Sequence, residues 1–232
     1  MAISAVNGAS DAYRALSSGS RINSAKDDAA GLSIATKTKS QINTYDAEAE
    51  NNSAYQSASN VKDGAYAGIT DNLQRMRELA VKASNSLYGD EEKAAIQQEI
   101  DGLKAGIHDI VSNASYNGNQ LLDGLENDLG IANFDVTSAN FNIDDIDNAL
   151  KTVSSGRSSN GAEMNGLEHA QSYNRLASYN ATSALSRQSD TDYAETISKL
   201  KKEETLNTFQ IMMQKRKQEA EAEKAGHLMM GM

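Results

Sequence analysis

SSGSRINSAKDDAAGLSIATK occupies Ser17–Lys37. A glycine break at Gly19 leads into a turn and then a run of small and charged residues, with no catalytic residue type in evidence. Ser24 reads as a helix N-cap. Asp27 sits three residues later, an acidic variant of the capping box, and Asp27 and Asp28 suit the positive start of a helix. Gly19 lets the chain bend before that helix, with Arg21 and Asn23 between bend and cap. Ala29, Ala30 and Gly31 are small enough to admit a close neighbour. The stretch predicts a joint between a terminal arm and a long helix.

Working outward, apolar and small positions recur at Ile34, Thr38, Ile42, Tyr45, Ala49, Asn52, Tyr55, Ala58, Val61, Ala65, Ile69, Leu73, Met76, Leu79 or Ala80, Ala83 and Leu87. The mean step is roughly 3.5 residues, the coiled-coil period. SLYGD (Ser86–Asp90) breaks the pattern, and Asp90 can cap a second helix with a face of Ile96, Ile100, Leu103, Ile107, Ile110 and Ala114. A short connection makes the two helices antiparallel neighbours. Asn117-Gly118 between Tyr116 and Leu121 is a hairpin signal, and a small β element is expected over about residues 115–137. A third helix begins near Ile143. Its stripe is Ile143, Ile146, Leu150, Val153, Arg157, Asn160, Met164, Leu167, Gln171, Asn174, Ser178, Ala181 and Leu185, increasingly polar. Polar seam residues set register at a cost in stability, so this helix is expected to depend on partners. The tail is charged, with an apolar cluster of Phe209, Ile211, Met212 and Met213. It reads as a solvated helix fraying toward its end or as a self-association segment.

Composition narrows the function. The chain has 232 residues, a net charge of −10, 5% aromatic residues and no Trp, Pro or Cys. Few aromatics argue against a large rounded core, and absent Pro suits long helices. Without Cys there are no disulfides or thiolate metal sites. The acidic balance argues against duplex nucleic acid as a partner. The start lacks the pattern of a cleaved secretory signal, and no stretch approaches the ~20 apolar residues of a membrane span. His108, His169 and His227 form no metal-ligand pattern, and no phosphate-binding glycine motif occurs. No residue set carries an enzyme reading, and neither cofactor nor metal is expected.

DNLQRMRELAVKASNS (Asp71–Ser86) admits two readings. In one it is a salt-laced helix with Glu78–Lys82 as an i,i+4 pair. In the other, Arg75 and an exposed Leu79 form a partner surface, since Arg beside exposed apolar area is common interface material.

Four blocks resemble the N-terminal half of bacterial flagellin: LSSGSRINSAKDDAAGLSIATK (Leu16–Lys37), NLQRMRELAVKASNS (Asn72–Ser86), IQQEIDGL (Ile96–Leu103) and YNGNQLLDG (Tyr116–Gly124). NRLASYNATSALSRQSDTDYAETISKL (Asn174–Leu200) resembles its C-terminal half more weakly, with Asp190, Asp192, Tyr193 and Ala194 similar to the acidic turn before the last helix. The resemblance implies an all-α fold, an elongated antiparallel coiled-coil-like bundle with a small β-hairpin. It implies export through the flagellar apparatus, aided by a chaperone, and self-assembly into the extracellular filament. It also implies a Toll-like receptor five contact at Arg75, Leu79 and Glu99, and packing at the joint residues Gly19, Arg21, Asn23, Asp27 and Asp28. About fifteen residues separate Leu125 from Asn140, so the family's central variable region is nearly absent. The implied organisation is an N-terminal arm over 1–20, core helices over 21–114, a hairpin and remnant of the variable region over 115–140, a core helix over 141–188, and a terminal helix with charged tail over 189–232. The arm is shorter than the family's, and the tail, basic then acidic, departs from the family's apolar, Gln-rich end. A hook–filament junction protein and a non-polymerising receptor ligand are the alternatives.

Overall fold

The computed structural model describes residues 2–138 and 140–230, and the side chains of residues 8–138 and 140–223. The elements are α1 (Ala2–Ser18), α2 (Ala29–Ala83), α3 (Asp90–Asn113), β1 (Ser115–Tyr116), β2 (Asn119–Gln120), α4 (Leu125–Leu129), α5 (Ile143–Ser189) and α6 (Tyr193–Met230). Among the described residues the fold is all-α with a small antiparallel hairpin, as the resemblance implies. Two compact units form: Asp46–Arg175, and Met1–Tyr45 with Leu176–Met232.

In the unit Asp46–Arg175, side chains of α2, α3 and α5 meet in one core. Ile69, Leu73, Met76, Ala80 and Ala83 face Ile100, Ile107 and Val111, with Ile146, Ala149 and Val153 closing the third side. Partners show that α3 and α5 both run antiparallel to α2. Arg75 meets Glu99 whereas Gly68 meets Ile110. Arg77 meets Asp147, Asp63 meets Arg157, and Ala49 lies by Gln171.

Gly89, not Asp90, is the N-cap of α3; Glu92 reaches back to accept the Gly89 N–H at 3.0 Å. Asp90, Glu91 and Glu92 then occupy the first turn, where the helix dipole favours them.

The Asn-Gly turn forms as expected. Asn117 and Gly118 both adopt positive φ (51° and 80°), pairing Ser115 with Gln120 and Tyr116 with Asn119. The β element ends at Gln120, however, short of 137. Residues 121–137 instead fold as α4 and a loop whose Leu122, Leu125, Leu129, Ile131, Phe134 and Val136 enter the core. Gln97 and Lys104 of α3 hold this loop: the Val136 N–H donates to Gln97 Oε1 at 2.8 Å, and Lys104 Nζ donates to the Phe134 carbonyl at 3.4 Å. His108 pairs with Glu126 of α4 at 3.0 Å, and the carboxylate raises the imidazole pKa above its ordinary value.

The α2 stripe drifts by one residue in its middle. Tyr55 is 62% exposed, whereas Ser59 and Tyr66 are buried. The seam steps through Gln56 and Ser59 because Asn160 of α5 donates to the Ser59 carbonyl at 2.9 Å. Helix α2 stops at Ala83, so Leu87 falls in the connection rather than on the stripe.

Gly156 of α5 lies against buried Tyr66, and a Cβ there would sit 2.7 Å from Tyr66 Oη. Gly166 on the same helix has nothing within 4 Å of such an atom. Gly156→Ala is therefore expected to lower stability by about 1–2 kcal/mol, overpacking outweighing the gain in helix propensity. Gly166→Ala is expected to raise it by up to about 1 kcal/mol. Urea denaturation of both variants checks the pair, and equal signs would refute the packing account.

Candidate assembly and partner surfaces

The other unit is organised by the joint. Helix α1 ends at Ser18, and Gly19 takes φ +69°, a conformation open to glycine at little cost. The next residues pair with the α5–α6 connection. Ser20 bridges Asp190, the Arg21 N–H donates to the Ser189 carbonyl at 2.7 Å, and the Thr191 N–H donates to the Gly19 carbonyl at 2.9 Å. The Arg21 guanidinium adds a bond to the Gln188 carbonyl at 2.8 Å. Two connections far apart in sequence are thus tied backbone to backbone. Sequence reading found Gly19 and Arg21 but not their partners, because a two-residue bridge leaves no periodic signal.

Ser24 is not the cap of α2. Asp27 closes a separate turn, accepting the N–H groups of Asn23 (3.1 Å) and Ser24 (2.9 Å) and the Ser24 hydroxyl (3.0 Å). These bonds, the Ser24 hydroxyl foremost, hold the Asp27 carboxyl below its ordinary pKa. Asn23 in turn donates to the Ser20 carbonyl at 2.7 Å. Asp28 is the cap: its Oδ1 accepts the Gly31 N–H at 2.8 Å, and its carbonyl accepts that of Leu32. Of the three small residues, Ala29 and Ala30 are exposed and only Gly31 is buried. The close neighbour at Gly31 is this chain's own Ile22, whose Cδ1 would lie 2.8 Å from a Cβ.

Helix α6 opens on Asp192, which accepts the Glu195 N–H at 3.0 Å. It runs antiparallel to α1: Tyr193 reaches the Leu16 carbonyl at 3.4 Å, and Gly8 lies against Glu203. Tyr13 donates to Glu204 at 2.7 Å. Helix α1 has 17 residues and α6 has 38, so α6 extends well past its partner. Every side chain from Ile211 to Glu223 is exposed. Phe209, Ile211, Met212 and Met213 are 53–64% exposed. The tail end, including His227, lies outside the described side chains.

On α2, Arg75 donates two bonds to Glu99 Oε1 (2.8 and 2.6 Å) and one to Glu78 (3.0 Å), and these carboxylates, Glu99 foremost, raise its pKa further. Both Arg75 and Glu99 are about half exposed. Leu79 corrects the exposed-leucine reading: it is 2% exposed and belongs to the core. The sequence left Leu79 and Ala80 as alternatives for the seam, and the structure buries both. Among the described residues, no group of three His, Asp or Glu could hold a metal ion, and no helix is long and apolar enough to cross a membrane.

Leu79→Ala is expected to cost about 2–5 kcal/mol, as for a buried leucine. Arg75→Ala should shift the unfolding midpoint only slightly, because surface ion pairs contribute little. Denaturant melts of both variants test the assignment; a mild Leu79→Ala would contradict its burial.

Residues 4–127 match the family profile for the bacterial flagellin N-terminal helical region. A flagellin of Halalkalibacterium halodurans is 34% identical, across 94% of this chain and 91% of its own length. The flagellar filament core protein flaB2 of Brachyspira hyodysenteriae is 31% identical, across 86% of this chain and 85% of its own. Among solved structures, a Bacillus cereus flagellin superposes with a TM-score of 0.50 at 20% identity, covering 54% of this chain and 88% of its own.

Proposed function

The chain belongs to the bacterial flagellin family, and on that footing we propose that it is a structural subunit of the extracellular flagellar filament, polymerising with copies of itself. The observation that carries this reading is the uncovered length of α6. An isolated helix without a packed face is marginal in water, yet α6 continues with Phe209, Ile211, Met212 and Met213 in solvent. Neighbouring copies would bury these residues, and that burial offsets the cost of ordering the terminal helices on docking.

Export through the flagellar apparatus with a chaperone belongs to the same reading. A chain without cysteine has no disulfide to hold it folded, and the main apolar cluster among the described residues lies within one unit. The filament role asks for no catalysis.

Removing the residues after Leu200 is expected to abolish polymer formation, read by sedimentation and electron microscopy, while circular dichroism of the remainder stays helical. Filaments from the shortened chain would sink the reading.

Receptor recognition is part of the proposal only through the exposed pair Arg75 and Glu99. Leu79 is buried, so replacing it would test folding rather than contact. Arg75→Asp is expected to weaken Toll-like receptor five signalling by the soluble chain in reporter cells. Unchanged signalling would remove this partner.

A further inference from the structure

Two unused features lie in the unit Asp46–Arg175. The first is a concave, mainly apolar groove of about 360 Å³ between α2 and the hairpin. Ala54, Tyr55 and Ala58 lie on one side and Tyr116 and Leu121 on the other, with three asparagines completing the lining. Tyr55 left the α2 seam and stands 62% exposed beside it. The second is Leu87, 90% exposed, the most exposed large apolar side chain among the described residues. Its loop is held in shape: the Leu87 N–H donates to Asn85 Oδ1 at 3.0 Å, and the Tyr88 N–H donates to the Asn85 carbonyl at 3.1 Å. Leu87 is therefore presented ready to dock, with less ordering cost than a loose loop would carry.

The two features cannot meet within one molecule. Continuous helix runs from Tyr55 to the end of α2 at Ala83, roughly 40 Å at 1.5 Å per residue. A knob at one place and a matching groove at another make a heterologous pair, the kind of contact that propagates into an open polymer.

We infer that Leu87, backed by Tyr88, inserts into the Tyr55–Tyr116 groove of a neighbouring copy, so that this contact repeats along the assembly; the inference rests on the filament reading. Charge fits a second copy in one orientation. Asp90, Glu91 and Glu92 follow the knob. Lys62, one helical turn beyond Ala58, flanks the groove and forms no ion pair among the described residues. Glu48 and Glu50 lie toward the other end and would repel a reversed loop. Size fits as well. A leucine and part of a tyrosine bury only a few hundred Å², well under the roughly 1,000 Å² of a stable isolated pair. The contact would hold as one of several in a polymer and leave the dilute chain monomeric.

The absence of native cysteine makes the test direct. Filaments of the double variant Ala58→Cys with Leu87→Cys, mildly oxidised, should run on a denaturing gel as a ladder of dimers, trimers and longer chains. The unassembled double variant should stay monomeric. Co-assembled single variants should give dimers and no ladder, and this mixture decides the matter if the double variant does not polymerise. Leu87→Asp should raise the critical concentration about tenfold while leaving helicity unchanged. Cross-link-free filaments overturn this contact and leave the filament reading standing. Failure of the unsubstituted chain to form filaments overturns both.

Discussion

The pairing of α2 with α5 is limited by how little apolar material lies between them. Where α3 joins, Ile69, Leu73 and Met76 meet Ile146 and Val153, and burial of such side chains contributes about 1.5–3 kcal/mol each. Past Tyr66 and Gly156 the seam turns polar. Asn160 bonds the Ser59 carbonyl, yet its own Oδ1 is buried without a partner among the described residues. A made hydrogen bond contributes about 0.5–1.5 kcal/mol net, and a buried unpaired oxygen costs a similar amount or more. Such a seam selects register more than it adds stability. The close contact of Gly156 with Tyr66 acts in the same sense, since a slip along the helices would put a side chain where the ring lies.

The remaining stability must come from elsewhere, and each unit shows where. One concentrates its apolar residues around the short helix α3, which also gathers the loop after the hairpin. The other relies on backbone bonds between two connections and on α1 lying along part of α6. Arg75–Glu99, Arg77–Asp147 and Arg157–Asp63 are all solvent-exposed. Pairs of this kind orient helices without holding them together. A subunit built this way is complete enough to keep its helices and leaves apolar surface over for neighbours.

Much of this was legible in the sequence because it was periodic or local. The α3 face, the α5 seam and the Asn117-Gly118 hairpin follow from spacing of three and four residues and from a two-residue turn that demands positive φ. The misplaced features share a cause: each was settled by a distant partner. Tyr55 lost its seam position to Ser59 because Asn160, about a hundred residues on, bonds that carbonyl. Leu79 is buried because the core there is wide enough to take both Leu79 and Ala80. Asp28 took the cap from Ser24 because Asp27 was engaged in a turn that folds Ile22 onto Gly31. The pairing of Ser20 with Asp190 had no local signature at all.

Charge then decides what kind of contact can join copies. At −10 per chain, like copies repel one another, and at physiological salt that repulsion extends only about 8 Å from each surface. Attraction sufficient for assembly must therefore act at direct contact and must not depend on net charge. Apolar side chains meet both conditions, because water exclusion is short-ranged and indifferent to sign. Exposed apolar residues are a liability for an acidic monomer that must stay dispersed. Among the described residues they are spread along the helices and turns singly or in short clusters: Tyr13, Ile34, Tyr55, Leu87, Tyr173, Leu176 and Tyr179, and the cluster of Phe209, Ile211, Met212 and Met213. That distribution keeps single encounters weak and makes stable association depend on several contacts closing together.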